Sequence, residues 1–302
     1  MRYRPLAHHP MAISAVSLRL EDDPRRRPGD WKALTLAALD CGINSFEIAG
    51  RNPALIDGVS EALRTVERRL LFVAWLFGPR AMPAQFTDRA YSAESMESLA
   101  RAVVARSGLE YIDLVLLDDP GQQDLSADGM AMLKKLGVEG LVRLIGIAGQ
   151  GDEIDAYIST GLFDVLATPF NMLSGSRERR RMKAAAEQNM AVLGYGPYPE
   201  AMLKVIKEAA PKKGLLSWGK KPGAKPPEPY AFLHSTGDWT AEEVCLAYAL
   251  TEPGVATMQI EPHDADHVRE LADVAERELP AGLPAQIEMS RFSGLGGQAR
   301  RA

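Results

Sequence analysis

Short apolar runs of strand length alternate along the chain with longer stretches in which apolar residues recur every three to four positions, the pattern of parallel βα units. Eight such runs occur: ISAVSLRL (13–20), SFEIA (45–49), LLFVAWL (70–76), IDLVLLD (112–118), VRLIGIA (142–148), FDVLATPF (163–170), MAVLGYG (190–196) and VATMQIE (255–261). Eight strands close a barrel, and 302 residues is an ordinary length for one. The pattern therefore predicts a single (β/α)8 TIM barrel over residues 1–292.

Boundary signals support the same division. Ser92 opens SAESMESLARAVVARSG with Glu94 and Glu97 in the first turns, and Gly108 stands where that helix should stop. Thr240 with Glu243 forms a capping box for TAEEVCLAYAL, and Pro253-Gly254 follows its end. Residues 119–129 read as a polar connection before a helix near 130–137. The stretch 211–237 is too rich in Pro, Gly and Lys for a regular element, and 293–302 reads as a flexible tail without an apolar period to dock it.

Charge narrows the functional classes. Lys and Arg number 35 against 40 Asp and Glu, giving a net charge of −5, which disfavours a nucleic-acid partner because counterion release needs a basic surface. No apolar run reaches the length of a membrane span, and the opening MRYRPLAHHP lacks a signal-peptide core, so membrane insertion is not expected and a cytoplasmic location is. Cys41 and Cys245 stand far apart and outside any ligand spacing, and read as two small buried hydrophobes.

Several segments together resemble a known family. MRYRPL followed by ISAVSLRL is similar to the opening of aldo-keto reductases, ALDCGINSFEIA to their "ALDAGIN-FDTA" segment, and SGLEYIDLVLLDDP to their "LGTDYIDLYLLHWP". VRLIGIA, FDVLATPFNML, MAVLGYGPY and LAYALTEPGVATMQIEPHDADHVREL follow in the same order, over roughly residues 1–278. The resemblance implies a (β/α)8 barrel that reduces carbonyls with a nicotinamide cofactor at its C-terminal mouth. That chemistry uses a tyrosine as general acid, a lysine that lowers its pKa, an aspartate bonded to the lysine, and a histidine that orients the carbonyl.

None of the four is intact at the matching positions. The aspartate falls on Glu47, the tyrosine on Asn52, the lysine on Leu76 (or Trp75 if the register shifts by one), and the histidine on Asp118. Tyr91 and Arg51 lie near these segments without holding a strand-end position. Loss of a general acid alone removes about 10²–10⁴ in rate, so the resemblance implies a scaffold without its reductase chemistry.

The cofactor positions are altered less evenly. The Ser-Asn pair for the carboxamide falls on Ala148 and Gly149, in the strand that carries Gly146, and the sixth-strand glutamine falls on Ala167. Asn171 and the stacking Tyr195 are kept, Tyr195 reading equally well as a barrel-rim residue. After the last strand His263 takes the basic position, with Glu261 and Asp264 near where phosphate would sit. Fixed negative charge there disfavours NADP(H) and leaves NAD(H) open, with the next helix N-terminus available to a pyrophosphate.

Glu47, Asp118, Asp119 and Glu261 gather at strand ends, where they read as a metal or acid-base cluster or, more simply, as rim charge; no metal is expected. His263 and His267, four apart, read as a surface pair. Trp218, Lys220 and Lys221, in the lysine-rich loop, form a candidate docking surface for an acidic protein partner. Oxidoreductase-like bacterial regulators of cell division, of the KidO type, are similar to this description, and imply a regulatory protein acting on protein partners and sensing NAD(H). The alternative is an active NAD(P)H-dependent oxidoreductase of divergent mechanism.

Overall fold

Eight parallel strands close in the order β10-β3-β4-β5-β6-β7-β8-β9 in the computed structural model, which describes residues 1–7, 9–79, 90–199, 233 and 236–299, with side chains as far as residue 291. The barrel strands are β3 (Val16–Glu21), β4 (Ser45–Ala49), β5 (Phe72–Phe77), β6 (Ile112–Asp118), β7 (Val142–Ala148), β8 (Val165–Pro169), β9 (Ala191–Tyr195) and β10 (Thr257–Ile260). Helices α1 (Pro28–Asp40), α2 (Pro53–Leu63), α3 (Ala93–Ser107), α4 (Ala127–Val138), α5 (Asp152–Ile158), α6 (Ser176–Glu187), α7 (Ala241–Leu250) and α8 (Ala265–Val274) lie between and after them. The expected (β/α)8 barrel is the fold observed.

Alternation along each strand separates two cores. Val16, Leu18 and Leu20 of β3, with Val73, Trp75 and Phe77 of β5, pack outward against the helices. Phe72, Ala74, Leu76, Leu114, Leu116, Val165, Ala167, Ala191 and Leu193 point the other way and fill the barrel. Residues of one parity on a strand therefore share the interior, which fixes the faces of Arg19, Glu47 and Gln259.

ISAVSLRL does not form one strand. A hairpin of β1 (Tyr3–Leu6) and β2 (His9–Ser14) precedes β3, and the chain turns at Ala15. Leu6 and Ile13 join the interior cluster from the N-terminal end, and Arg4 donates to the carbonyls of Val255 and Leu250, each at 2.6 Å. An unbroken apolar run hides that switch, because each half buries its apolar residues against a different partner.

Local capping follows the expected chemistry. The Ser92 hydroxyl accepts from Ser95 N–H, Gly108 ends α3 with φ of 65°, and Thr240 with Glu243 closes a reciprocal capping box on α7. Residues 293–299, expected as part of a flexible tail, fall within helix α9 (Leu283–Ala299). Leu283 and Ile287 bury the start of that helix against Val244 and Tyr248 of α7, and later turns add to an anchored nucleus. Trp218, Lys220 and Lys221 lie outside the described residues. Among the described residues no helix is long and apolar enough to cross a membrane.

Candidate functional site

The interior is polar on one side and apolar on the other. Arg19 of β3, Glu47 of β4 and Gln259 of β10 sit on neighbouring strands, with Arg19 registered against Glu47, and all three take the inward parity. Arg19 Nη1 lies 2.5 Å from Glu47 Oε1, and Gln259 Nε2 donates to Glu47 Oε2. Arg19 also reaches Glu261, 3.3 Å from its Nε, and Glu21 at 3.9 Å. From the neighbouring β5 round to β8 stand Leu76, Leu116, Ala148 and Ala167, with no side-chain polar atom among them.

Each tetrad position has a structural occupation. Glu47 is 2% exposed, and burial pushes its carboxyl up, with Arg19 and the Gln259 amide pulling down and Glu261 and Asp118 adding to the rise. Asn52 caps α2, its side-chain oxygen accepting from Ala54 N–H at 2.9 Å ahead of Pro53 in the first turn. Of the two candidates for the lysine position, Leu76 belongs to the barrel interior and Trp75 to the outer core.

Asp118 ends β6, registered against Ala148, and its backbone carbonyl accepts the Tyr91 hydroxyl. A Cβ on Gly78 would stand 2.6 Å from the Asp118 Cβ, so glycine is needed there. Tyr91 is buried and its hydroxyl is engaged, and the exposed Arg51 donates its backbone N–H to Asp22. The next residue, Asp119, adopts φ of 47°, and its carboxylate rests where a Cβ on Gly149 would be; Gly149 itself has φ of 143°.

Among the expected cofactor residues, Tyr195 faces inward at the end of β9, and burial, with Asp119 beside it, pushes its phenol up to about 12. Gly146 serves packing, since a Cβ there would press on the Leu114 and Leu116 methyls at 3.0 Å. The side chain of Asn171 bridges Leu173 N–H and the Gly196 carbonyl, tying the end of β8 to the end of β9. The His263 and His267 rings are in tilted contact with centroids 4.2 Å apart, and the Nε2 of His267 lies 3.2 Å from Glu242. The His263–His267 pair joins no group of three metal-ligating side chains among the described residues.

The helix N-terminus expected to receive phosphate is already capped. Asp264 accepts from His267 N–H at 2.9 Å, and Asp266 adds a second carboxylate to the first turn of α8. Among the described residues Tyr195 offers an aromatic face, whereas the positions expected to hold a carboxamide and phosphates carry Ala, Gly and acidic residues. Ala148, Gly149 and Ala167 offer no side-chain partner to a carboxamide, and Asp264 and Glu261 oppose phosphate.

Sequence reasoning passed over Arg19 and Gln259. The available signal was a polar residue at an inward position inside otherwise apolar strands, SLRLE and TMQIE.

A model of the aldo/keto reductase family matches residues 26–289 of the chain. No curated protein sequence matches it. Among solved structures, an aldo-keto reductase from Bacillus halodurans is similar in its apo form with a TM-score of 0.70 and in its holo form with a TM-score of 0.74. Both share 18% identity and align over 96% of this chain and 96% of that one, a likeness that speaks to the fold.

Proposed function

The chain belongs to the aldo/keto reductase family, and from that membership we propose that it is a member without carbonyl-reducing chemistry, retained as a regulatory or binding protein. The observation that carries this reading is the reuse of the reactive positions. Asn52 caps a helix, Leu76 belongs to an apolar cluster, and Glu47 is bound by Arg19 and Gln259. Among the described residues no lysine pairs with Glu47, and the Tyr195 phenol, which senses both Glu47 and Arg19, is pushed up by burial rather than down.

In this reading NAD(H) is preferred to NADP(H) and held weakly, by the Tyr195 ring alone. The effect of the protein passes to protein partners, with the bacterial cell-division machinery as the proposed class and Trp218, Lys220 and Lys221 as the proposed contacts. A second reading, an oxidoreductase of divergent mechanism, is favoured by one observation. Burial holds the Glu47 carboxyl towards its protonated form, the property a proton donor needs near neutral pH.

Hydride transfer from NADH and NADPH to a panel of aldehydes, against an enzyme-free control, separates the two. Turnover that is abolished by Glu47→Gln overturns the first reading. Absence of turnover, with a larger thermal shift for NADH than for NADPH, supports it. Charge reversal at Lys220 and Lys221 tests the partner surface, and unchanged partner affinity and salt dependence would remove those residues from the proposal.

A further inference from the structure

Reciprocal hydrogen bonds close the N-terminus of α8. Asp264 accepts from the His267 N–H at 2.9 Å, and the His267 ring reaches back so that its Nδ1 accepts from the His263 N–H at 3.3 Å. A capping box ordinarily returns a Glu or Gln side chain from this third helical position. Here the returning group is an imidazole, whose nitrogen accepts only while the ring is neutral.

The other ring nitrogen has the opposite preference. Nε2 lies 3.2 Å from the Glu242 carboxylate of α7. With Nδ1 accepting, the single proton of the neutral ring sits on Nε2 and points to Glu242, so both contacts are satisfied. A second proton has to go to Nδ1, where it meets the His263 N–H head on. Protonation therefore breaks that bond and leaves an ion pair with Glu242. Burial opposes the imidazolium, but Glu242, with Glu270 and Asp264, outweighs it, and the pKa lies above the ordinary 6.5. The groups that face the ring are Glu242, with the Tyr198 phenol in electrostatic reach of that carboxylate, the His263 ring at 4.2 Å, Asp264 and Glu270. Asp266 of the same turn is taken by Arg269 at 2.7 Å.

The bond that protonation breaks helps to hold the segment between β10 and α8. Two other contacts act on that segment: Glu261 lies 3.3 Å from Arg19 Nε, and the His263 carbonyl accepts from Arg26 Nη2 at 2.8 Å. Carboxylates and guanidinium groups ordinarily keep their charge across the range in which an imidazole titrates. We propose that His267 is a pH-operated latch, fastening residues 261–264 beside the Arg19–Glu47 pair while it is neutral and releasing His263 when it is protonated. Acid then loosens this side of the barrel mouth while the helix behind it gains an ion pair. The latch requires no nucleotide and does not depend on the loss of reduction.

NMR and hydrogen exchange on the full chain test it. A nitrogen-to-nitrogen coupling across the hydrogen bond, from the His263 amide to His267 Nδ1, should be present above the His267 midpoint and vanish below it. Protection of the His263 amide, corrected for the intrinsic exchange rate at each pH, should fall about threefold to tenfold with the same midpoint. His267→Gln keeps an acceptor at the third helical position and cannot titrate, so it should abolish that fall. Glu242→Gln should move the fall to lower pH, in step with the His267 midpoint. Absence of the coupling above the midpoint, its persistence in acid, a loss of protection at a pH other than the His267 midpoint, or the same loss in His267→Gln would overturn the proposal.

Discussion

Replacing Arg19 by Met removes the cation from Glu47 while keeping most of the side-chain volume. In the native protein the pair is close, 2.5 Å, with the Glu47 side chain 3% and the Arg19 side chain 11% exposed, so among the described residues the orphaned carboxylate would keep the Gln259 amide alone. Breaking a buried pair from one side costs about 3–5 kcal/mol. The retained amide and the partial exposure of Arg19 reduce this to about 2–4 kcal/mol, or roughly 3–6 °C in Tm for a chain of this size. Adding Glu47→Gln removes the stranded charge and should restore much of the loss, giving a coupling of about 1–3 kcal/mol in the double-mutant cycle.

The loss also has a pH signature. Burial has already raised the Glu47 pKa above its ordinary 4.5, so the native state holds a proton more readily than the unfolded chain. Stability from this group therefore falls as pH rises from 4.5 through the raised value. Loss of Arg19 raises that value further. The gap between native protein and Arg19→Met should be wide in mildly alkaline buffer and narrow in acid. Denaturant unfolding at several pH values measures it, and a variant within about 1 kcal/mol of the native protein at every pH would refute the buried-pair account.

Other consequences are independent of that pair. Asn52→Tyr restores the family's residue type in name but deletes the cap on α2, so it should lose about 1 kcal/mol and gain no carbonyl reduction, whereas Asn52→Asp should keep the stability. Asp113, fully buried, receives Arg68 at 2.6 Å, Arg143 at 3.4 Å and Val73 N–H at 2.9 Å, and Asp113→Asn should cost about 3–5 kcal/mol by urea unfolding. Burial opposes the imidazolium of His267, but Glu242, with Glu270 and Asp264, outweighs it and raises the pKa. That contribution to stability is full below 6.5 and is lost as pH rises through the raised value, so Glu242→Gln should lower the His267 midpoint in an NMR titration.

Features governed by short-range chemistry were legible in the sequence. Ser92, Gly108 and Thr240 act on N–H groups within a few residues, and the eight apolar runs follow from the two faces of a strand. The Asn-Pro signal at 52–53 belongs to the same local chemistry, yet the family comparison drew attention to the missing tyrosine and away from the cap. What stayed hidden depended on long-range register. The predicted barrel already puts β10 beside β3 with β4 next, but no local pattern specifies the register that brings Gln259 to Glu47 across 212 positions of sequence. The Leu76 and Trp75 ambiguity had the same origin, because both are apolar and only their neighbours tell inside from outside.

The Arg19, Glu47 and Gln259 arrangement also acts as a ratchet on ancestry. A lysine introduced at position 76 would enter an apolar wall while Glu47 is still held by Arg19, and removal of Arg19 first would strand Glu47. Each route back to a working tetrad by single substitutions therefore crosses an intermediate with an uncompensated interior charge. In the proposed reading, a loss of reduction that accompanied the pairing of Arg19 with Glu47 would persist without any further selection against reduction itself.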